Sequence, residues 1–310
     1  MNRYPYKKLL VGLDQSEMDK DLIKAACDIS QSSDTEVVYF LNVIREIQVP
    51  ESLKQEFPDI LDKALEERKA TLQNTIDDCF KSDKTKVILK VIVEQGSVTK
   101  TLLKHTADDD IDLIVLGRKH DKDDGGVLVN RIARRVGCSM LIVPQNTKFD
   151  LSNILVPTDF SDYSKNAMDK AISMVKEGPS HKKLTIQNVF QVPVGYHYTG
   201  KSFDEFAEIM QAHTGNDYEK FMSEFDTSGI ELEPVYSLDK DDDIIHDIYK
   251  TALKMDCTLI VVGAKGRTAT TALFIGSKAE RLIQVNTDVP MLVVRPKGKN
   301  AGFIEFLKEL

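Results

Sequence analysis

Residues 258–266 read Thr258-Leu-Ile-Val-Val-Gly-Ala-Lys-Gly266, and Gly276-Ser277 follows after nine more residues. The apolar run predicts a buried strand, and the residues at 278–283 are helix-like. Glycines between a strand and a helix let the backbone approach an anion, and the first amides of the helix can point at it. The spacing favours a phosphate site. A glycine-bearing surface loop without a ligand is the alternative, because spaced glycines alone are a weak signal.

The chain repeats itself once. Three segments recur in the same order at offsets of 145 to 151 residues: 8–14 and 153–159, 112–117 and 258–263, and 140–143 and 291–294. At roughly 150 residues per domain, a chain of 310 residues also suggests two domains. The sequence therefore predicts a tandem duplication with domains at 1–148 and 149–298, followed by a helical tail at 299–310.

Each half alternates strands and helices. Continuous apolar runs such as Leu259-Ile-Val-Val262 are typical of parallel sheets that are covered on both faces. In the second half, the pattern predicts strands near 152–158, 184–192, 230–237, 257–263 and 290–295, and helices near 162–177, 202–225, 242–254 and 276–285. The predicted fold class is α/β, with two tandem doubly wound parallel-sheet domains of strand order 3-2-1-4-5.

The predicted strand order also locates a ligand site. In an open parallel sheet, the crevice lies at the carboxyl ends of the strands where the order reverses, here between the first and fourth strands. In the second half, these strands end in Pro157-Thr158-Asp159 and in Gly263-Ala-Lys-Gly266. Because a carboxylate repels phosphate, we expect Asp159 to face a ribose hydroxyl or an adenine edge while the glycines hold phosphates. A helix-capping role for Asp159 is the alternative.

These motifs resemble those of the universal stress protein family, in particular its tandem members. Residues 154–159 are similar to the family's opening strand, and the Gly-x2-Gly-x9-Gly-Ser spacing is similar to its ATP-binding signature. The resemblance implies ATP as the ligand, with Mg2+ or Mn2+ held mainly by the phosphates. We assign no catalytic residue and no protein metal ligand. The implied nucleotide-binding residues are Pro157, Thr158, Asp159, Val189, Val262, Gly263, Gly266, Arg267, Gly276, Ser277 and Lys278.

The same resemblance assigns a role to most of these residues. It implies that Asp159 and Gly263 contact the ribose side and that the backbone of Val189 meets adenine. The residues implied to surround the phosphates are Gly266, Gly276, Ser277 and Lys278. Lys278 departs from the small or aliphatic residue expected there, which leaves a backbone contact intact and can add charge.

The first half departs further from the family pattern. Gly117 and Asp14 survive, but at an offset of 146 the positions of Gly266, Gly276 and Ser277 fall on His120, Asn130 and Arg131. Side chains at the glycine positions would crowd the phosphates, and the acidic residues 121–124 would repel them. The segment 134–138 is also expected to be shorter than its counterpart before the last strand. We therefore predict a degenerate, empty first domain.

A second motif competes with this interpretation. Residues 195–202, Gly195-Tyr-His-Tyr-Thr-Gly-Lys-Ser202, fit the phosphate-loop pattern G-x4-G-K-[ST]. However, the motif follows a second strand, Pro193 interrupts the junction, and no partner strand with a magnesium-binding Asp is evident. We interpret the segment as a long aromatic loop over the adenine side, with Lys201 able to assist. His197 is expected to be a surface residue.

Composition limits the class of protein. The formal net charge of −8 argues against a nucleic-acid partner, because such binding depends on clustered Lys and Arg. Neither a signal peptide nor an apolar segment long enough to cross a bilayer is evident, so the expected location is cytoplasmic without membrane association. The four cysteines lie far apart without a CxxC pair, which favours free buried thiols.

Three functions are compatible with the sequence. The first is an ATP-binding stress or signalling module whose output is a conformational or partner change. The second is an enzyme with at most weak ATP hydrolysis, because the HxGH and SGGxD signatures of adenylating enzymes are missing and no general base is placed beside the glycines. The third is a protein-interaction scaffold without nucleotide. The intact motif of the second half favours the first function over the third.

The final strands suggest how the domains associate. Residues 140–143 and 291–294 are apolar strands at predicted sheet edges, and an exposed apolar edge invites pairing. We expect an intramolecular pseudo-twofold pair of the two domains through these strands. The apolar tail Phe303-Ile-Glu-Phe-Leu307 leaves a homodimer of the whole chain open.

Overall fold

The computed structural model describes residues 6–45, 56–81, 87–119, 126–177, 183–265 and 275–295. These residues form two compact units, 6–149 and 150–295. The tail predicted at 299–310 lies outside the described residues, and the pairing of the two final strands stays a prediction.

The N-terminal unit is a doubly wound parallel sheet. Its elements are β1 (Lys8–Leu13), α1 (Met18–Gln31), β2 (Val37–Ile44), α2 (Ile60–Cys79), β3 (Ile88–Gln95), α3 (Val98–Asp108), β4 (Leu113–Arg118), α4 (Val127–Ala133) and β5 (Ser139–Pro144). The strands pair in parallel in the order β3-β2-β1-β4-β5. The order therefore reverses between β1 and β4.

The C-terminal unit repeats this arrangement. Its elements are β6 (Asn153–Pro157), α5 (Asp162–Glu177), β7 (Lys183–Phe190), a 3-10 helix (Tyr196–Thr199), α6 (Phe203–Met222), β8 (Glu231–Leu238), α7 (Ile244–Lys254), β9 (Leu259–Gly263), α8 (Ser277–Val285) and β10 (Met291–Val294). Its parallel order is β8-β7-β6-β9-β10. The predicted fold class and strand order are confirmed, and each predicted element of this half ends within three residues of the observed bounds.

The central strands of both units are buried on both faces. Residues 113–116 of β4 and 259–261 of β9 are at most 3% exposed. Successive side chains of a strand point to opposite faces, so both faces must be covered for all of them to be buried. In the N-terminal unit, α1 packs against β1 and β4, and α3 packs against β1 and β2.

The two units also share the backbone conformation of an individual turn residue. Gln15 and Phe160, which directly follow Asp14 and Asp159, have φ angles of 63° and 60°. Positive φ is uncommon for residues other than glycine. Both units therefore build the turn after the first strand in the same way, and in the C-terminal unit the ring of Phe160 packs against Phe221 with centroids 5.4 Å apart.

No described helix is long and apolar enough to span a membrane. The four cysteines are free, and Cys27, Cys138 and Cys257 are buried. Burial raises the pKa of the Cys257 thiol to about 11, which keeps it protonated and unreactive near neutral pH.

The buried carboxyl of Asp19 supports the turn after β1. It is 3% exposed and accepts the N–H groups of Asp14 at 3.1 Å and Gln15 at 2.8 Å. Burial raises its pKa to about 6 from 3.8. Because the folded-state pKa lies above the unfolded value, ionisation of Asp19 destabilises the fold progressively between about pH 4 and pH 6, and fully above that range.

We predict that Asp19→Asn gains stability relative to the parent as the pH rises from 4 to 7, by up to about 3 kcal/mol. Urea unfolding of both proteins across this range measures the difference, and Asp62→Asn at an exposed site is the control. A difference between Asp19→Asn and the parent that stays constant with pH would contradict the prediction.

Candidate functional site

The strand order of the C-terminal unit reverses between β6 and β9, and an open parallel sheet has its ligand crevice at the carboxyl ends of such strands. The pairing of β6 with β9 ends with Leu155 opposite Ile260. Beyond this point β6 continues to Pro157 and β9 to Gly263 without pairing to each other. The two strand ends therefore leave a gap in the sheet, the usual ligand position in this architecture.

Asp159 is held by hydrogen bonds at the end of β6. Its Oδ1 accepts the Ser164 hydroxyl at 2.6 Å and the Ser161 N–H at 3.1 Å, and its own N–H donates to Ser164 Oγ at 3.2 Å. Ser161 Oγ in turn accepts the Ser164 N–H at 3.3 Å. The hydroxyl of Ser161 thus caps the start of α5, while Asp159 closes the turn before the helix.

The backbone of Val189 faces the same crevice. The Gln187 C=O accepts the Thr158 N–H at 2.8 Å on the β6 side, and the Phe190 C=O accepts the Asp239 N–H at 2.9 Å on the β8 side. Backbone groups alternate sides along a strand, so the N–H and C=O of Val189 point towards β6. The β6–β7 pairing ends with Pro157 opposite Gln187, so these two groups lie beyond the end of β6.

Asn188 was not predicted as a site residue. Its side-chain amide donates to the Thr158 C=O at 2.8 Å, and the Asn42 amide donates to the Leu13 C=O at 2.7 Å in the N-terminal unit. Each carbonyl belongs to the residue before the aspartate. The two asparagines lie 146 positions apart, so extending the repeat to the second strand would have found them.

The N-terminus of α8 lies beside the end of β9. The Gly276 N–H donates to the Ala264 C=O at 2.8 Å, and Gly276 is the N-cap of α8. A glycine cap offers no side chain to the first helix amides. Its φ of −69° is accessible to any residue, so glycine supplies space here rather than a special conformation. Ser277 and Lys278 are exposed at this helix start.

The remaining predicted residues surround the crevice or lie outside the described part. Pro157 and Gly263 end β6 and β9 and are buried. Thr158 is 7% exposed, and its Oγ1 accepts the Phe160 N–H at 3.0 Å. Val262 is half-buried in β9. Gly266 and Arg267 lie outside the described residues.

The structure corrects the predicted equivalence of the two glycine motifs. The N-cap of α4 is Gly126, and Asn130 and Arg131 lie within that helix. Gly126 therefore corresponds to Gly276, and Val127 corresponds to Ser277. The interval from Gly117 to Gly126 is four residues shorter than that from Gly263 to Gly276. The expected shortening at 134–138 is wrong, because the helix-to-strand connections of the two units have nearly equal lengths.

In the N-terminal unit, neighbouring side chains contact the retained Asp14 and Gly117. Lys119 Nζ lies 2.5 Å from Asp14 Oδ2. Burial raises the pKa of Asp14, but the hydrogen bonds from Lys119 and Ser16 outweigh this effect and hold it below its usual range. Met18 lies against Gly117, where an added Cβ would meet its Cε at 2.8 Å.

The segment 195–202 does not have the geometry of a phosphate loop. Ser202 is the N-cap of α6 and forms a capping box with Glu205. The Ser202 hydroxyl accepts the Glu205 N–H at 3.3 Å, and Glu205 Oε2 accepts the Ser202 N–H at 2.8 Å. The Tyr196 ring packs against Phe203 with centroids 5.7 Å apart. Among the described residues, no group of three or more His, Cys, Asp or Glu side chains is arranged to hold a metal ion.

This arrangement defines a class: a doubly wound α/β protein with a glycine-capped helix start and an aspartate at the switch point. The family model described as the universal stress protein family matches the chain twice, at residues 5–144 and 151–295. The chain therefore belongs to the universal stress protein family, as a tandem member. The resemblance predicted from the motifs is confirmed.

The chain is similar to a curated universal stress protein and to solved structures. The universal stress protein YxiE of Bacillus subtilis (strain 168) is 27% identical over 152 residues, which cover 46% of this chain and 99% of that protein. A universal stress protein from Archaeoglobus fulgidus DSM 4304 is 18% identical with a TM-score of 0.60, over 94% of this chain and 98% of that one. A universal stress protein in complex with cAMP is 18% identical with a TM-score of 0.31, over 45% of this chain and 97% of that one.

We predict that Ser202→Ala destabilises the C-terminal unit by about 1 kcal/mol, because it removes the cap of α6. Thermal unfolding measures this loss, and Ser228→Ala on an exposed turn is the control. Binding of a nucleotide at 195–202 would also weaken in Ser202→Ala. Unchanged stability, or weaker ATP binding by the folded variant, would contradict the assignment of Ser202 as a structural cap.

Proposed function

We propose that the C-terminal unit binds ATP in the crevice between β6 and β9. The observation that carries the proposal is the juxtaposition of three features at one sheet edge. Asp159 stands at the end of β6, the unpaired backbone positions of Val189 stand on β7, and the uncapped start of α8 is tied to the end of β9 by the Gly276–Ala264 hydrogen bond. Each feature suits a different part of one nucleotide.

The Val189 backbone suits the adenine ring. Its N–H and C=O point to the same side of β7, so together they offer one donor and one acceptor. An adenine edge carries an acceptor ring nitrogen beside a donor amino group, which is the complementary pair. Side-chain substitutions at Val189 would leave this contact intact, because it belongs to the backbone.

Asp159 suits the ribose. A carboxylate accepts hydrogen bonds from sugar hydroxyls but repels phosphate. The bonds from Ser161 and Ser164 fix its orientation before a ligand arrives, which lowers the ordering cost of binding.

The start of α8 suits the phosphates. Helix N-termini carry a partial positive charge and unbonded amides that bind anions. Lys278 adds a full positive charge in the first turn, and the absent Cβ at Gly276 leaves room for phosphate oxygens. Mg2+ or Mn2+ held by the phosphates would offset the repulsion between ATP and a chain of net charge −8.

The proposed output is a conformational or partner change that depends on bound nucleotide, as in a stress or signalling module. Slow ATP hydrolysis and a nucleotide-free interaction scaffold are the competing functions. The rigid Asp159 turn and the glycine-capped α8 favour binding over the scaffold, since a scaffold needs neither feature.

We predict one ATP per chain. The N-terminal unit should stay empty of nucleotide. Lys119 is ion-paired with Asp14, the Met18 side chain lies against Gly117, and Val127 stands at the position that corresponds to Ser277. Calorimetry of the full chain with ATP and Mg2+ measures the stoichiometry, cAMP is the comparison ligand, and mass spectrometry of gently denatured protein identifies any nucleotide carried through purification. A stoichiometry of two would show that the N-terminal unit also binds.

We predict that Gly276→Val weakens ATP binding at least about tenfold, because the side chain fills phosphate space at the α8 start. Gly126→Val is the matched control at the N-cap of α4. An added Cβ there lies 3.5 Å from the nearest side-chain atom, an ordinary contact, so this variant should fold and bind as the parent does. Equal affinity in all three proteins, measured by calorimetry, would refute the site.

A further inference from the structure

The N-terminal unit contains a cavity at the switch point between β1 and β4. Its volume is about 100 Å³. The walls come from six elements and are largely apolar, contributed by residues that include Met18, Leu22, Leu41, Val43, Leu102 and Leu116. An engineered, enclosed apolar cavity of roughly 150 Å³ takes up benzene or xenon, and the present cavity differs from it in having Asp14, Ser16 and Lys119 in its lining.

The corresponding position on the second strand of the C-terminal unit is polar. Leu41 lies opposite Gly12 in the β1–β2 register, as Gln187 lies opposite Pro157 in the β6–β7 register. The Gln187 amide donates to Ser237 at 2.9 Å and to Thr251 at 2.8 Å. At the same place in the N-terminal unit, Leu41 faces the cavity. The two units therefore differ in polarity at this wall position.

The charged groups of the cavity neutralise each other. Asp14 and Lys119 both line it, and they form an ion pair. A charged ligand would have to break this pair or approach a group of its own sign. The electrostatics therefore favour an uncharged ligand, and the cavity of about 100 Å³ is smaller than the sites of drug-sized ligands, which measure about 300–1,000 Å³.

The wall can adapt to such a ligand. Met18 is 7% exposed and lies against Gly117, and its unbranched thioether can change conformation at little energetic cost. Val43 and Leu128 line the cavity from β2 and α4 and are only half-buried, so larger side chains there can fill the cavity without entering the main core.

We propose that the N-terminal unit binds a small uncharged apolar molecule, a ring or branched alkyl group of about six carbon atoms, in the cavity between β1 and β4. This site is separate from the proposed ATP site, and neither depends on the other. In the bound state the ligand leaves water and contacts Met18, Leu41 and Leu102.

The test uses the full chain with carbon-13 in the methionine methyl groups, and benzene as the probe. The Met18 methyl resonance, assigned with Met18→Leu, should shift saturably with benzene, and benzoate should bind at least about tenfold more weakly. Val43→Phe should reduce benzene affinity at least about tenfold by filling the cavity. Val189→Phe, at the corresponding strand position of the C-terminal unit, is the matched control and should bind benzene as the parent does.

Leu128→Phe fills the cavity from a second element and serves if Val43→Phe fails to fold. Loss of the Met18 shift in a folded filling variant, with the shift retained in Val189→Phe, supports the site. No saturable shift in the parent overturns the proposal, as does a shift that persists in both folded filling variants. ATP calorimetry on the same samples is expected to be unchanged by Val43→Phe.

Discussion

At the carboxyl edge of each sheet, the central strand loses its partner on one side while keeping it on the other. In the C-terminal unit β6 stays paired with β7 to Pro157, but its pairing with β9 ends at Leu155. This difference follows from the strand order, since the chain leaves neighbouring strands towards opposite faces where the order reverses. The turn at Asp159, the Val189 backbone and the start of α8 all depend on the gap that results.

Hydrogen bonds to the backbone hold this edge in shape. Asn42 and Asn188 tie the end of the first strand to the second in their respective units. In both units the next turn contains a residue with positive φ. These features are shared because they maintain the scaffold. Each unit can then change the side chains that face its crevice without losing the crevice itself.

The two units use different side chains to accept the backbone N–H of the aspartate in this turn. Ser164 supplies a hydroxyl in the C-terminal unit, where the N-terminal unit has the buried carboxyl of Asp19. The aspartate after the first strand is oriented by serines in one unit and paired with Lys119 in the other. Together with Leu41 in place of Gln187, these exchanges distinguish the crevice proposed to bind ATP from the cavity proposed to bind an apolar molecule.

The sequence by itself determined the duplication, the strands and the parallel order, because buried parallel strands appear as apolar runs and the helices between them keep their own period. It also indicated Asp159 and Gly276, because Asp is favoured in turns and Gly lets a ligand approach the backbone closely. Comparing the two halves at a fixed offset could not identify Gly126 as the counterpart of Gly276, however. The segment from Gly117 to Gly126 is four residues shorter than its counterpart, so the fixed offset no longer applies beyond it.

Only the tertiary structure decided which groups meet. The direction of the Val189 backbone depends on strand register, and the capping role of Ser202 depends on Glu205 returning to the same helix start. The apolar cavity brings together side chains from β1, β2, β4, α1, α3 and α4. Local sequence encodes periodicity and burial, but distances between residues far apart in the chain are set by how the elements pack.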